Sequence, residues 1–237
     1  STMKQGKLYL IPNTLGDASF EKVCPSHNSE IINSLEEFIV EDAKSSRAFL
    51  KSAGYKIPFD RAIFHIHNEH TQTENSLEYF RSISEGKDIG IISDAGCPAI
   101  ADPGAAIVKI AHEKNIQVVP LVGANSVILA LMASGMNGQN FCFHGYLPKD
   151  RKDRIKKIKE LEKNSTEKNQ TQLFIETPYR NNHMIDDLLN SLSTSTLLCI
   201  ACDITLSTEF VLTKNISDWK KKKPDINKRP AVFLIGI

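Results

Sequence analysis

The chain has 237 residues, of which 41% are hydrophobic and 24% charged, with a net charge of +1. That length supports one large or two modest domains, and the composition is that of a soluble globular protein rather than a disordered or fibrous one. The near balance of charge excludes a polycation drawn to nucleic acid over its whole surface, and no apolar run approaches the roughly 18 residues of a membrane span.

Residues 1–6 are polar and lack the apolar stretch of a signal peptide, so a cytoplasmic protein is expected. The first half then alternates strand-like and helix-like segments. Residues 7–11 read as a strand, 28–35 as an amphipathic segment, 38–40 as a short apolar run, and 43–53 as a helix stopped by Gly54. A strand follows at 62–67 and a helix at 73–84, with Leu77, Phe80 and Ile83 at helical spacing. Residues 89–92 form a buried strand. Asp102 and Pro103 are suited to the cap and first turn of the next helix. A strand at 117–121 and a helix at 126–133 complete a series of β-α-β units, the pattern of a parallel sheet covered by helices.

The small polar segment 135–139 marks the expected boundary, giving domains 1–137 and 138–237. Beyond it lie a strand at 141–143, a basic helix at 150–162, a polar linker at 164–170, a strand at 173–175 and a helix at 181–192. Three more strand-like runs, 197–200, 209–212 and 231–235, include a pair without a full helix between them, which predicts a hairpin and a mixed sheet. The five cysteines are odd in number and scattered, so no disulfide framework is implied. Cys199 and Cys202 have a metal- or redox-like spacing, but an offset of three along a strand turns them to opposite faces, as buried structural thiols.

In an open α/β sheet, ligands bind at the carboxyl ends of strands. Four loops there are unusual: 12–17, 41–44, 93–104 and 121–126. Their small residues permit close backbone approach, and helix N-termini favour anionic groups. No G-x-G-x-x-G stretch follows the first strand, so the dinucleotide-binding fingerprint is absent. His65, His67, Glu69 and His70 have metal-ligand chemistry, but a polar strand end is the simpler interpretation. The helix at 150–162, with Lys149 just before it, carries Arg151, Lys152, Arg154, Lys156, Lys157 and Lys159 against Asp150 and Asp153, and Ile155, Ile158 and Leu161 face inward. Such a helix suits either RNA phosphates or plain solvation. The run 219–223 has the same ambiguity.

These loops also carry a family likeness. SDAGCPAIADPG at 93–104 resembles the S-D-A-G-T-P-x-x-S-D-P-G signature of the rRNA-methylating branch of the tetrapyrrole-methylase superfamily. That branch is the small-subunit (16S) ribosomal RNA (cytidine-2′-O)-methyltransferase I family. LYLIPNTLGD, EDAK, HNEH, VVPLVGANSVILALMASGM, FCFHGYLPKDRKDR and LFIETPYR are similar, in order, to that family's other motifs. The resemblance implies two α/β domains, a mostly parallel N-terminal sheet and a mixed C-terminal one, with a cofactor cleft between them. It further implies S-adenosylmethionine as cofactor, no metal, ribosomal small-subunit RNA as partner, and a homodimer.

Carried over by position, the cofactor-binding residues are Pro12, Ser93, Asp94, Ala95, Gly96, Val122, Ser126, Ile175 and Ala231. Methyl transfer to a ribose hydroxyl benefits from a proton acceptor. Glu41 and Asp42 are the candidates, with Lys44 or Arg180 binding phosphate. The chain departs from the family at 122–126, at Ala43 and Lys44, and at Tyr179, and it stops at Ile237 without the C-terminal extension of longer members. Those departures fall on the substrate side. They keep two alternatives in view: a methyltransferase for a tetrapyrrole precursor or other small molecule, and a non-catalytic RNA-binding paralogue.

Overall fold

The computed structural model describes residues 4–68, 70, 78–100 and 104–237. The chain forms two units, residues 1–125 and 126–237, each built on its own sheet.

The first unit holds strands β1 (Leu8–Ile11), β2 (Glu37–Val40), β3 (Ile63–Ile66), β4 (Ile89–Ile92) and β5 (Val118–Pro120), all parallel in the order β3-β2-β4-β1-β5. Helices α1 (Phe20–Val23), α2 (Ser26–Ile32), α3 (Ala43–Ser52), α4 (Arg81–Ser84) and α5 (Gly104–Glu113) connect them. The inner strands read as continuous apolar runs because both faces are covered. Ile11, Phe38, Val40 and Leu50 pack in one cluster, and Leu8, Ile39, Ile89 and Ile107 in another. Gly90 sits where an added Cβ would lie 2.5 Å from the Ile11 side chain, so β4 needs its missing side chain there.

The second unit holds α6 (Ser126–Ser134), β6 (Phe141–Tyr146), α7 (Arg151–Glu167), β7 (Thr171–Ile175), α8 (Asn181–Ser191), β8 (Leu197–Cys202), β9 (Phe210–Asn215), α9 (Ile216–Lys221) and β10 (Ala231–Gly236). Its strand order is β6-β7-β10-β8-β9, with β6 parallel to β7 and the other neighbours antiparallel. The β8–β9 hairpin and the mixed sheet agree with the sequence expectation. Cys199 and Cys202 are buried in β8 as free thiols, and burial pushes the Cys202 thiol up to about 11.

Two local expectations change. Helix α7 runs through residues expected as linker, because Ser165 is buried with its hydroxyl bonded to the Glu162 carbonyl at 2.7 Å, and the chain turns only at Asn169 with φ +45°. Helix α9 arises inside what reads as a basic run: the Asn215 side chain caps it from the Asp218 N–H, and Trp219 is buried with its indole N–H on the Leu198 carbonyl. Of the helix expected at 73–84, the described part ends as α4, and residues 73–77 lie outside the described residues, as do Asp102, Pro103 and Glu69. Among the described residues no helix is long and apolar enough to cross a membrane.

Candidate functional site

The strand order sets where a ligand can sit in the first unit. β1 and β4 are neighbours, yet the chain leaves β1 toward β2 on one side and leaves β4 toward β5 on the other. Right-handed crossovers therefore send the two connections to opposite faces, which opens a crevice between the carboxyl ends of β1 and β4. The loops starting at Pro12 and Ser93 flank that crevice.

The two loops are tied to each other. The Asn13 side-chain amide donates to the Ser93 carbonyl at 2.9 Å and the Asp94 carbonyl at 3.3 Å, and its oxygen accepts the Thr14 N–H at 2.7 Å. The Asn13 N–H donates to the Gly96 carbonyl at 2.9 Å. Ser93 is buried, and its hydroxyl donates within the turn to the Gly96 carbonyl at 2.7 Å. Gly96 has φ +65°, a conformation that costs a residue with a Cβ roughly 1–2 kcal/mol. Ala99 in the same loop holds φ +68° despite its Cβ, a strain of the kind found in ligand-holding loops.

The loop after β5 is pressed against the same place. A Cβ on Gly123 would lie 2.1 Å from Pro12 Cβ, so only glycine permits this approach. Asn28 of α2 is buried and donates to the Val122 carbonyl at 2.7 Å, bracing the loop while the Val122 side chain stands 72% exposed. Cys97 Sγ lies 3.4 Å from the Ala124 carbonyl. Burial raises the Cys97 thiol above its usual range and lifts Cys24, whose Sγ is 3.9 Å from the Pro12 carbonyl, to about 11. Both stay protonated near neutral pH, so they serve as packing groups and not as nucleophiles.

The loop after β2 adds carboxylates. Glu41 accepts the Asp94 N–H at 2.9 Å. Asp42 caps α3 by accepting the Ser45 N–H at 2.8 Å, a bond that holds its carboxyl below the usual range. The Ser45 hydroxyl in turn reaches Asp94 Oδ1 at 3.4 Å. Thus Glu41 and Asp42 do come beside Asp94. Asp42 is committed to the helix cap, and a carboxyl held low is the weaker base. Lys44 is exposed in the first turn of α3. His65 is held by Glu37 at 2.8 Å and packs on Tyr79, as an ordinary polar strand end does.

Other sequence-derived site residues belong to the second unit. Ser126 begins α6, Ile175 ends β7 opposite Val232, and Ala231 begins β10, which places Ile175 and Ala231 at one end of that sheet. Arg180 ends the 3₁₀ turn Pro178–Arg180 and lines a groove of about 700 Å³ with Lys149, Arg151, Arg154 and Tyr179. Asn13 and Gly123 lie in the loops 12–17 and 121–126 expected from sequence to meet a ligand, but their bonding roles there were not foreseen, and Asn28 lay outside every candidate loop. The meaning of a polar or small residue beside apolar strands depends on which loops meet.

No protein-family model matches the chain. Its sequence is 30% identical over 236 residues to Ribosomal RNA small subunit methyltransferase I of Haemophilus influenzae, covering 97% of this chain and 78% of that protein. The chain belongs to the ribosomal RNA small subunit methyltransferase I family. The Bacillus subtilis protein of that name is 34% identical over 178 residues, 74% of this chain and 56% of the relative. Among solved structures, cobalt precorrin-4 methyltransferase superposes with a TM-score of 0.61 at 15% identity, covering 97% of this chain and 94% of that one. Uroporphyrin-III C-methyltransferase of Thermus thermophilus, complexed with S-adenyl homocysteine, gives 0.59 at 13% identity, covering 98% and 97%. The fold of this rRNA small subunit methyltransferase I family member is thus the tetrapyrrole-methylase fold.

Replacing Asn13 by Ala strands the buried Ser93 carbonyl and removes the side-chain ties between the two loops, leaving the backbone bond from the Asn13 N–H to the Gly96 carbonyl. A loss of about 1–3 kcal/mol of stability is expected, since a buried group left without its bond bears its full desolvation cost. Urea unfolding of the two proteins measures it, and an unchanged midpoint would show that water replaces the amide.

Proposed function

We propose that the chain methylates a ribose 2′-hydroxyl of small-subunit ribosomal RNA, with S-adenosylmethionine held by the loops after β1, β4 and β5 and Glu41 accepting the hydroxyl proton. The observation that carries this is the Glu41 carboxylate fixed on the Asp94 N–H at 2.9 Å, beside the crevice between β1 and β4.

The residues present suit the donor. Small and backbone groups at Ala95, Gly96 and Gly123 leave room for a nucleoside, the exposed Val122 side chain offers it an apolar surface, and the exposed Asp94 carboxylate can accept bonds from amino or hydroxyl groups. S-Adenosylmethionine, when bound, supplies an electrophilic methyl group on a sulfonium. The chain's own work is to fix the loops so that nucleophile and methyl carbon meet near roughly 3–3.5 Å. Glu41 would take the proton shed by the hydroxyl as its oxygen displaces the thioether sulfur from the methyl carbon. Lys44 at the edge of this loop set is a candidate for a substrate phosphate, as a point charge and not a bidentate fork.

An RNA substrate is favoured over a tetrapyrrole because the rRNA-methylating relatives stand at about 30% identity, whereas the tetrapyrrole methylases share 13–15% and speak for the fold. A cytoplasmic homodimer accompanies this function. Calorimetric titration with S-adenosylmethionine tests the donor site: one saturable site is expected, weakened by Asp94→Ala. No binding would remove both enzymatic functions and leave the non-catalytic RNA-binding alternative.

A further inference from the structure

The groove on the second unit is bounded by the start of α7, the 3₁₀ turn Pro178–Arg180 and α8. Its volume of about 700 Å³ lies within the 300–1,000 Å³ typical of small-ligand clefts.

Its floor is preorganised. Asp187 is buried and accepts from Arg154 Nε at 2.8 Å and Arg151 Nε at 3.3 Å. Arg154 also donates to the Lys149 carbonyl at 2.8 Å, which fixes the backbone that carries Lys149. Arg180 lies with its guanidinium carbon 5.4 Å from the centre of the Tyr179 ring, and Tyr179 is 56% exposed. Among the described residues no carboxylate lies within ion-pair distance of Arg180 or Lys149. Asp186 is engaged by Lys223, so Asp187 and Glu176 are left to oppose Lys149, Arg151, Arg154 and Arg180. Outside the groove, exposed Lys152, Lys156 and Lys159 recur at helical spacing along one face of α7 over roughly 10 Å.

A cation without a carboxylate beside an exposed aromatic ring is what a nucleotide recognises: phosphate on the charge, base on the ring. We propose that this groove seats one nucleotide of a single-stranded stretch of the substrate RNA. Arg180 and Lys149 bind its phosphate, Tyr179 stacks on its base, and the lysine row of α7 follows the neighbouring phosphates. The proposal rests on the RNA-methylating function above and adds where and how the RNA is held. Asp187 and Arg154 are positioning residues.

Fluorescence anisotropy of a labelled single-stranded oligoribonucleotide, titrated with the full chain at rising salt, tests it. Tyr179→Ala and Arg180→Ala are each expected to weaken binding about tenfold, as loss of one stacked base or one charge-assisted contact does. Arg180→Ala should also lower the slope of log affinity against log salt by about 0.7, while Tyr179→Ala leaves the slope unchanged. Tyr179→Phe, which keeps the ring, should bind as the parent does. Tyr179 is exposed and Arg180 half-buried, and S-adenosylmethionine titration of each variant confirms folding. Unchanged RNA affinity in both alanine variants, with the parent still transferring methyl groups to RNA, would overturn the groove. A parent that neither binds nor methylates RNA would overturn the function beneath it, and the groove with it.

Discussion

Glu41→Gln is expected to lower the turnover of methyl transfer by about 100-fold or more while leaving S-adenosylmethionine affinity within about twofold, since a positioned proton acceptor contributes 10²–10⁴. The amide is chosen because it still offers an oxygen to the Asp94 N–H, bonded to Glu41 at 2.9 Å, and so preserves the loop. Glu41→Ala removes both roles and should lose donor affinity as well as rate. The pair of variants therefore separates chemistry from bracing. Full activity in Glu41→Gln would reduce Glu41 to a brace. Asp42 would not inherit the role readily, because the Ser45 N–H that it caps holds its carboxyl low.

Gly123→Ala should cost about 1–3 kcal/mol of loop packing, seen as a fall in S-adenosylmethionine affinity of up to about 100-fold. An added Cβ would stand 2.1 Å from Pro12 Cβ and 2.5 Å from Pro12 Cγ, and the buried proline ring has nowhere to go. The loop after β5 must then withdraw from the loop after β1, pulling on the Asn28 bond to the Val122 carbonyl at 2.7 Å. Titration of the donor into this variant, with circular dichroism to confirm folding, gives the measurement. Unaltered affinity would mean that the two loops need not touch for binding.

Much of the fold was legible because its strands are unambiguous. Runs such as Ile89–Ile92 and Ala231–Gly236 are apolar throughout, as strands covered on both faces must be, and parallel pairing followed from their alternation with helices. Boundaries set by polar side chains were harder. Ser165 extends α7 because its hydroxyl turns back to Glu162, and Asn215 starts α9 because its side chain can cap it, yet both residues also suit loops. β6 carries an irregularity near Gly145, at φ +66°, which no period-two pattern shows.

The candidate site was legible as a set of loops but not as a set of bonds. The stretch at 93–104 announced itself by its glycines and prolines. Asn13, which ties it to the loop after β1, is one asparagine among many until the strand order brings β1 beside β4. Similarly, the basic face of α7 was visible in sequence, whereas the groove at its start was not. That groove depends on Asp187, a buried carboxylate that holds Arg151 and Arg154 in place, and on a ring and a guanidinium set side by side by a 3₁₀ turn.

The crevice between β1 and β4 is proposed to serve methyl transfer to ribosomal RNA. Incubating the chain with undermethylated 30S subunits and S-adenosylmethionine tritiated in the methyl group tests it most directly. Label is expected in a 2′-O-methylated nucleoside after digestion of the RNA, and should fall with Glu41→Gln. Label confined to a tetrapyrrole precursor offered in parallel, or no transfer from a chain that binds the donor, would contradict it.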